Sequence, residues 1–268
     1  MKRKILLTFD IEEFDLPLEY NCPISAEKQI EISLEGFYSM NKLLNSYSIP
    51  STCFITSHFA ELNPSLMQDL AKKNEIGSHT HMHSHFEESD IEKSKIILES
   101  VCQVKVSGFR MPRLQKIDYN RLKTAGYTYD SSLNPTFLPG RYNNFKMPRS
   151  IFIESSSKLP ILPMSVSPII RFPMFWLSFK NLPLSLYFAF CKQCLAHDSY
   201  LHLYFHPWEF ADLRSFRIPA YIKRVSGEEY SNRFEKLLQF LLKQAEFSTI
   251  SSFLEEPEIR SILAKSVV

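Results

Sequence analysis

Four histidines fall within seven residues, at His79, His81, His83 and His85 of the stretch Glu75-Ile-Gly-Ser-His-Thr-His-Met-His-Ser-His. A divalent transition metal is held by two or three neutral imidazoles and commonly a carboxylate, with one position left open. Residues four apart on a helical turn face the same way, so His79 with His83 and His81 with His85 are both geometric ligand pairs. Carboxylates are supplied by Asp10-Ile-Glu12-Glu13-Phe-Asp15. On extended backbone Asp10 and Glu12 project to one face and can enter one pocket. One would complete a metal's coordination, and the other would take a proton from water. The plain alternative is a solvated acidic loop.

These residues need a scaffold that brings them together. Lys4–Phe9 reads as a short buried strand, and Ser51–Thr56, Glu75–Ser78, Lys105–Phe109, Tyr127–Ser131 and Leu201–Phe205 as five more. Between them lie helical patterns at Ala26–Tyr47, Pro64–Lys73 (with Asn63 as its cap), Ile91–Val101 and Tyr119–Ala125, and an amphipathic helix at Asn232–Gln244. Alternating β and α elements predict a mainly parallel sheet, closed or nearly closed into a barrel. In such barrels chemistry gathers at the C-terminal ends of the strands. Asp10, His79, Arg110, Asp130 and His206 all sit at those ends.

Composition removes several function classes. A net charge of +2 argues against a nucleic-acid surface, and the 6 glycines form no GxGxxG or P-loop, which speaks against nucleotide chemistry. No stretch of 18 or more uncharged apolar residues exists. After the basic Met1-Lys-Arg-Lys start only Ile5, Leu6 and Leu7 precede Thr8, too short for a signal-peptide core, so a cytoplasmic location is expected, possible contact with the inner membrane face included. Five scattered cysteines, with Cys191 and Cys194 as a lone CxxC, read as packing residues.

The motifs together resemble the polysaccharide deacetylases of carbohydrate esterase family 4, the nodulation-type deacetylase homology domain. Thr8-Phe9-Asp10-Ile11-Glu12 is similar to the family's first motif, in its xFDxD/E form, with Ile11 in place of an adjacent aspartate. His79-Thr80-His81-Met82-His83 matches H-[S/T]-x-x-H, and Arg110-Met111-Pro112 matches R-x-P, although Arg113 replaces the usual aromatic. Asp130-Ser-Ser-Leu-Asn-Pro-Thr and Leu203-Tyr-Phe-His206-Pro-Trp208-Glu209 resemble the two later motifs. The resemblance runs from about Lys4 to Phe253, nearly the whole chain.

This resemblance implies a distorted (β/α) barrel of about seven strands, forming a single catalytic domain over residues 1–268. It makes Glu12, His79 and His83 the metal ligands and leaves His81 and His85 as neighbours. Asp10 is the catalytic base, Arg110 pairs with and orients it, and His206 is the general acid. Pro112, Arg113, Asp130 and Trp208 contact substrate, with a backbone N–H near Arg113 as oxyanion donor and Trp208 as a wall for a sugar. Asp130 could also brace Arg110 or simply form a turn. The metal is expected to be zinc, with cobalt, nickel and iron(II) as alternatives. The implied activity is metal-assisted removal of an acyl group, N-acetyl above all, from a sugar in a polysaccharide or glycan precursor.

Two other readings stay open. The site could deacylate or deformylate a lipid-linked amino sugar or a small cyclic amide, or the chain could be an inactive metal- or glycan-binding homologue. The proline-punctuated aromatic segment around 160–195 bears on the first. It reads as an apolar insertion, either packing over the barrel or forming a lip for lipid or membrane.

Overall fold

The computed structural model describes residues 2–268. Its centre is β1 (Lys4–Ile11), buried along its length after Lys4. Alternate side chains separate cleanly. Ile5, Leu7, Phe9 and Ile11 join the main apolar core beneath the helices, while Leu6, Thr8 and Asp10 face the barrel interior. The remaining strands in chain order are β2 (Thr52–Ile55), β3 (Glu75–Ser78), β4 (Gly108–Phe109), β5 (Tyr129–Asp130), β6 (Phe137–Leu138), β7 (Tyr142–Asn143), β8 (Phe152–Ile153), β9 (Pro160–Ile161), β10 (Tyr200–Phe205) and β11 (Glu246–Phe247).

The main sheet runs β10-β1-β2-β3-β4-β5-β9-β8, with β11 beside the first residues of β1, and it curls into a partial barrel. Every pairing in it is parallel except β8 with β9. Between β9 and β10 the ladder gives way to irregular chain. Here Leu162 N–H donates to Asp130 O, and Ser165 N–H to His202 O at 3.0 Å. The 160–195 segment therefore completes the barrel wall. Phe175, Phe179, Tyr187, Cys191 and Cys194 are all buried, and all five cysteines of the chain are free thiols.

The long periodic helices form as the sequence predicts, including Ala26–Ser46 and Asp90–Cys102, and Gly126 adopts the left-handed conformation that ends a helix. The amphipathic helix begins earlier than expected, spanning Gly227–Leu241. Asn63 does stand at the start of helix Pro64–Ala71, but its side chain donates back to Phe59 O instead of capping. The strand expected over Lys105–Phe109 shortens to Gly108–Phe109. Val106 spends its N–H on Glu99 and its carbonyl on Lys95, which takes it out of the ladder. No helix among the described residues is long and apolar enough to cross a membrane.

Two glycines allow approaches on which the site depends. A Cβ at Gly36 would lie 1.9 Å from Pro207 O, so this glycine lets helix Ala26–Ser46 seat against the turn that follows His206. A Cβ at Gly77 would lie 2.6 Å from the Phe54 ring, and that ring is the platform beneath the Arg110 guanidinium, at 4.1 Å.

Candidate active site

The side chains that line the barrel interior become polar toward the C-terminal ends of the strands, where a cleft of about 280 Å³ opens. Asp10, Glu12, His79, His83 and His206 lie at its base. Glu12 Oε2 stands 3.0 Å from His79 Nε2 and 3.2 Å from His83 Nε2. The other nitrogen of each ring has its own acceptor: His79 Nδ1 meets Arg110 O at 2.7 Å, and His83 Nδ1 meets Asp15 Oδ1 at 2.7 Å. In the neutral rings both Nδ1 atoms therefore carry the protons, and both Nε2 lone pairs converge with a carboxylate oxygen. Three acceptors facing one point with no proton among them is the arrangement a cation satisfies. The three ligand atoms lie within 4.8 Å of one another, the only such metal-capable group among the described residues.

The charges agree with that geometry. Burial alone would raise the Glu12 carboxyl, but His83, His206 and the His79 bond hold it well below the usual carboxylate range. Burial alone would lower His83, yet Glu12 and Asp15 outweigh it and raise the imidazole to about 9. With no cation between them, protons are what these groups would share.

The two imidazoles are not brought together by a helical turn, as their four-residue spacing suggests. The loop after β3 is irregular, and Thr80 between them is left-handed at φ 65°. Ser57 and His58 N–H groups pin the loop by donating to Thr80 O and His81 O. The His79 and His83 rings then stack with centroids 5.7 Å apart. His81 turns away to Ser57 Oγ, and His85 pairs with Glu87 near the surface, so neither reaches the site.

Arg110 is fully buried behind this group. Its Nη1 donates to Asp10 Oδ1 at 2.5 Å and to Thr8 Oγ1 at 3.0 Å, and its Nε to Ser131 O at 3.0 Å. Nη2 donates to Ser131 Oγ at 2.8 Å and to His202 Nε2 at 3.0 Å. His202 accepts as a neutral ring, because burial and the neighbouring guanidinium push its pKa down to about 3. Asp130 does not bond Arg110. It takes the N–H and hydroxyl of Ser132, whose oxygen in turn accepts Met111 N–H at 2.8 Å. Burial pushes Asp130 up to about 6. Asp130 and Pro112 are buried and do not line the cleft, whereas Arg113 and Trp208 do.

His206 Nε2 faces both carboxylates, 3.9 Å from Asp10 Oδ2 and 3.9 Å from Glu12 Oε1. Its ring stacks on Trp208 at 4.6 Å, and Trp208 Nε1 donates to Glu12 Oε1 at 3.1 Å. Glu209 accepts the His206 backbone N–H at 2.9 Å and lies 3.2 Å from its Nδ1. The second Glu209 oxygen lies 3.5 Å from the buried Lys180 ammonium. Burial would lower His206, but Glu12 and Glu209 raise it, favouring the protonated ring.

Several members of the site were not singled out from the sequence. Asp15 orients His83 through one oxygen and binds Arg113 Nη2 through the other at 2.9 Å; only its place in the acidic cluster hinted at a role. Ser131 and Glu209 fall within the two later motif stretches but carry no assigned role there, Lys180 and His202 give no signal in the sequence, and Trp176 belongs only to the aromatic segment. It stands edge-on to both His206 and Trp208. Arg113 and Leu114 are both left-handed, at φ 55° and 51°, a backbone form that concentrates at functional sites.

The orienting bond gives a first test. Asp15→Asn is expected to weaken metal affinity about 10–100-fold while leaving the fold intact, as loss of a partner behind a ligand does elsewhere. Competition against a chromophoric chelator measures it, and an unchanged affinity would remove Asp15 from the metal-orienting role.

Residues 1–129 match the family model described as polysaccharide deacetylase. No curated protein sequence matches the chain. Among solved structures, one from Mycobacterium smegmatis, named as a polysaccharide deacetylase, aligns with a TM-score of 0.63 at 16% identity, over 98% of this chain and 92% of that one. The PuuE allantoinase aligns at 0.58 and 14% identity, over 93% and 88%. A CE4 family pseudoenzyme from Bacillus anthracis aligns at 0.51 and 10%, over 95% and 66%. At these identities the likeness is one of fold.

Proposed function

We propose, on the match of residues 1–129 to the polysaccharide deacetylase family model, that the chain is a metal-dependent hydrolase that removes an acyl group, N-acetyl above all, from a sugar of a polysaccharide or glycan precursor. The observation that carries this reading is the convergence of Glu12, His79 and His83 beside the Asp10–Arg110 pair and His206 in one cleft. Zinc is the metal we assign, since two imidazoles and a carboxylate suit it, with cobalt, nickel and iron(II) as substitutes. When bound, such an ion supplies a Lewis acid that polarises the acyl carbonyl and acidifies water.

The chain's own groups divide the remaining work. Asp10, locked by Arg110 through one oxygen, takes the proton from the attacking water with the other. His206, held by Glu209 and favoured in its protonated form, gives a proton from Nε2 to the departing nitrogen or oxygen. The left-handed turn at Arg113 supports a role for its N–H in stabilising the oxyanion. Trp176, Trp208, Phe175 and Tyr204 give the cleft an apolar wall on which a sugar ring can pack. The free cysteines suit a reducing compartment, and we place the protein in the cytoplasm, at the inner membrane face.

The pseudoenzyme reading is disfavoured because base, acid and the three candidate ligands are all present and in reach of one another. Incubation with acetylated chito-oligosaccharides in zinc should release acetate. Incubation with a cyclic ureide tests the allantoinase-like alternative. Turnover of the ureide alone would overturn the sugar reading.

A further inference from the structure

The cleft opens beside a surface whose composition departs from the rest of the chain. Residues 131–197 contain seven cations (Arg141, Lys146, Arg149, Lys158, Arg171, Lys180 and Lys192) and a single acid, Glu154, a net charge of +6. Lys180 is buried against Glu209, and Arg149 and Arg141 are paired with Asp198 and Glu19, which leaves Lys146, Lys158, Arg171 and Lys192 as the cations without an acidic partner among the described residues. The rest of the chain, with 24 Lys and Arg against 28 Asp and Glu, carries −4.

Within this segment a tight loop presents two aliphatic side chains to solvent. Val166 and Pro173 bridge its base, Ser167 N–H donates to Phe172 O, and Arg171 N–H to Ser167 O. At the tip Ile169 is 89% exposed and Ile170 61% exposed. The loop is fastened to the β6–β7 hairpin. Thr136 Oγ1 donates to Arg171 O at 2.7 Å, Arg171 Nη1 donates to Met147 O at 2.7 Å, and the Arg171 guanidinium lies over the Phe145 ring at 5.2 Å. The hairpin adds Phe137 and Phe145, both about half exposed, and the exposed Lys146. Its inner side, through Leu138, Pro139 and Tyr142, is part of the cleft wall.

An ordered loop that holds isoleucines in water is unfavourable for a freely soluble protein. Aliphatic and aromatic tips flanked by cations, here Lys146 and Arg171, are instead what an anionic bilayer surface receives. We propose that the Ile169–Ile170 loop and the β6–β7 hairpin dock on an anionic lipid bilayer, so that the adjoining cleft meets an amino sugar carried on a lipid. This rests on the hydrolase reading for the choice of substrate, while the docking itself does not.

Vesicle flotation tests the proposal without any substrate. The protein is expected to float with phosphatidylcholine vesicles containing phosphatidylglycerol, to be released by salt, and to bind pure phosphatidylcholine weakly. Ile169→Ser/Ile170→Ser is expected to weaken binding about tenfold or more, and Lys146→Gln about fivefold, the effect of a single cation near such a surface. Both variants change exposed side chains, so unfolding temperature and hydrolysis of a short soluble substrate should stay at wild-type levels. Protein that stays unbound to anionic vesicles would overturn the proposal. So would undiminished flotation of the double variant, or self-association that the double variant abolishes in place of vesicle binding. Flotation without any acyl release would leave the docking surface standing and count against the hydrolase reading alone.

Discussion

Asp10→Asn is expected to lower the turnover of acyl hydrolysis by about 10²–10⁴-fold, the range typical of a lost general base, and to leave metal content unchanged. The separation follows from the geometry. Asp10 spends Oδ1 on Arg110, and it is not part of the Glu12–His79–His83 group. Asparagine matches its shape and can keep the Arg110 hydrogen bond through Oδ1, but it cannot accept the proton. Parallel metal analysis and initial rates on the same preparation check this. Loss of metal together with rate would make Asp10 a ligand, and wild-type turnover would remove it from the chemistry.

Arg110→Met should produce the largest loss of stability in the chain. Its guanidinium is buried with five polar partners and an aromatic platform, all arranged around one charge. Removal leaves the Asp10 carboxylate buried without its counter-ion, together with unpaired groups on Thr8, Ser131 and His202. Breaking a buried pair in this way costs about 3–5 kcal/mol, which for a chain of this size corresponds to a fall in unfolding temperature on the order of 10 °C. Activity should vanish as well, because nothing then fixes Asp10. Arg110→Lys restores the charge but not the planar fork, so it should recover part of the stability and little of the activity. Urea unfolding of the three proteins measures the differences, and a cost below about 1 kcal/mol for the methionine variant would contradict this reading of the buried pair.

How far the sequence alone reveals these parts depends on the range of the interactions. The chemistry-bearing residues stand out because donor types cluster locally: His79 and His83 lie four apart, and Asp10 and Glu12 two apart where β1 ends. The means of bringing them together is less visible. The turn at Thr80, where spacing suggests a helix, is imposed by hydrogen bonds from Ser57 and His58 across the barrel top. The supporting residues are hidden for the same reason. Ser131 and His202 reach Arg110 from 21 and 92 residues away, and Glu209 gains meaning only where the turn after β10 folds back on His206.

The fold shows the same division. Long elements such as β1, β10 and the helix Ala26–Ser46 carry their periodicity in the chain itself. The two-residue strands β8 and β9 do not: β9 begins with a proline, and its identity comes from the neighbour it pairs with, β5. The 160–195 segment reads as an insertion for that reason, although it supplies the wall between β9 and β10 and a helix whose inner face buries Cys191 and Cys194.

The most direct test measures bound metal and acetate release together, on wild-type protein and His79→Ala, with acetylated chito-oligosaccharides and a dipalmitoyl-anchored N-acetylglucosamine as the two substrates. The account predicts one divalent ion per wild-type chain, acetate released from at least one substrate, and loss of both in the variant or after chelation, with activity restored to the wild type by zinc. A wild-type protein that releases acetate undiminished after complete removal of metal, or a His79→Ala variant that retains both ion and rate, would contradict it.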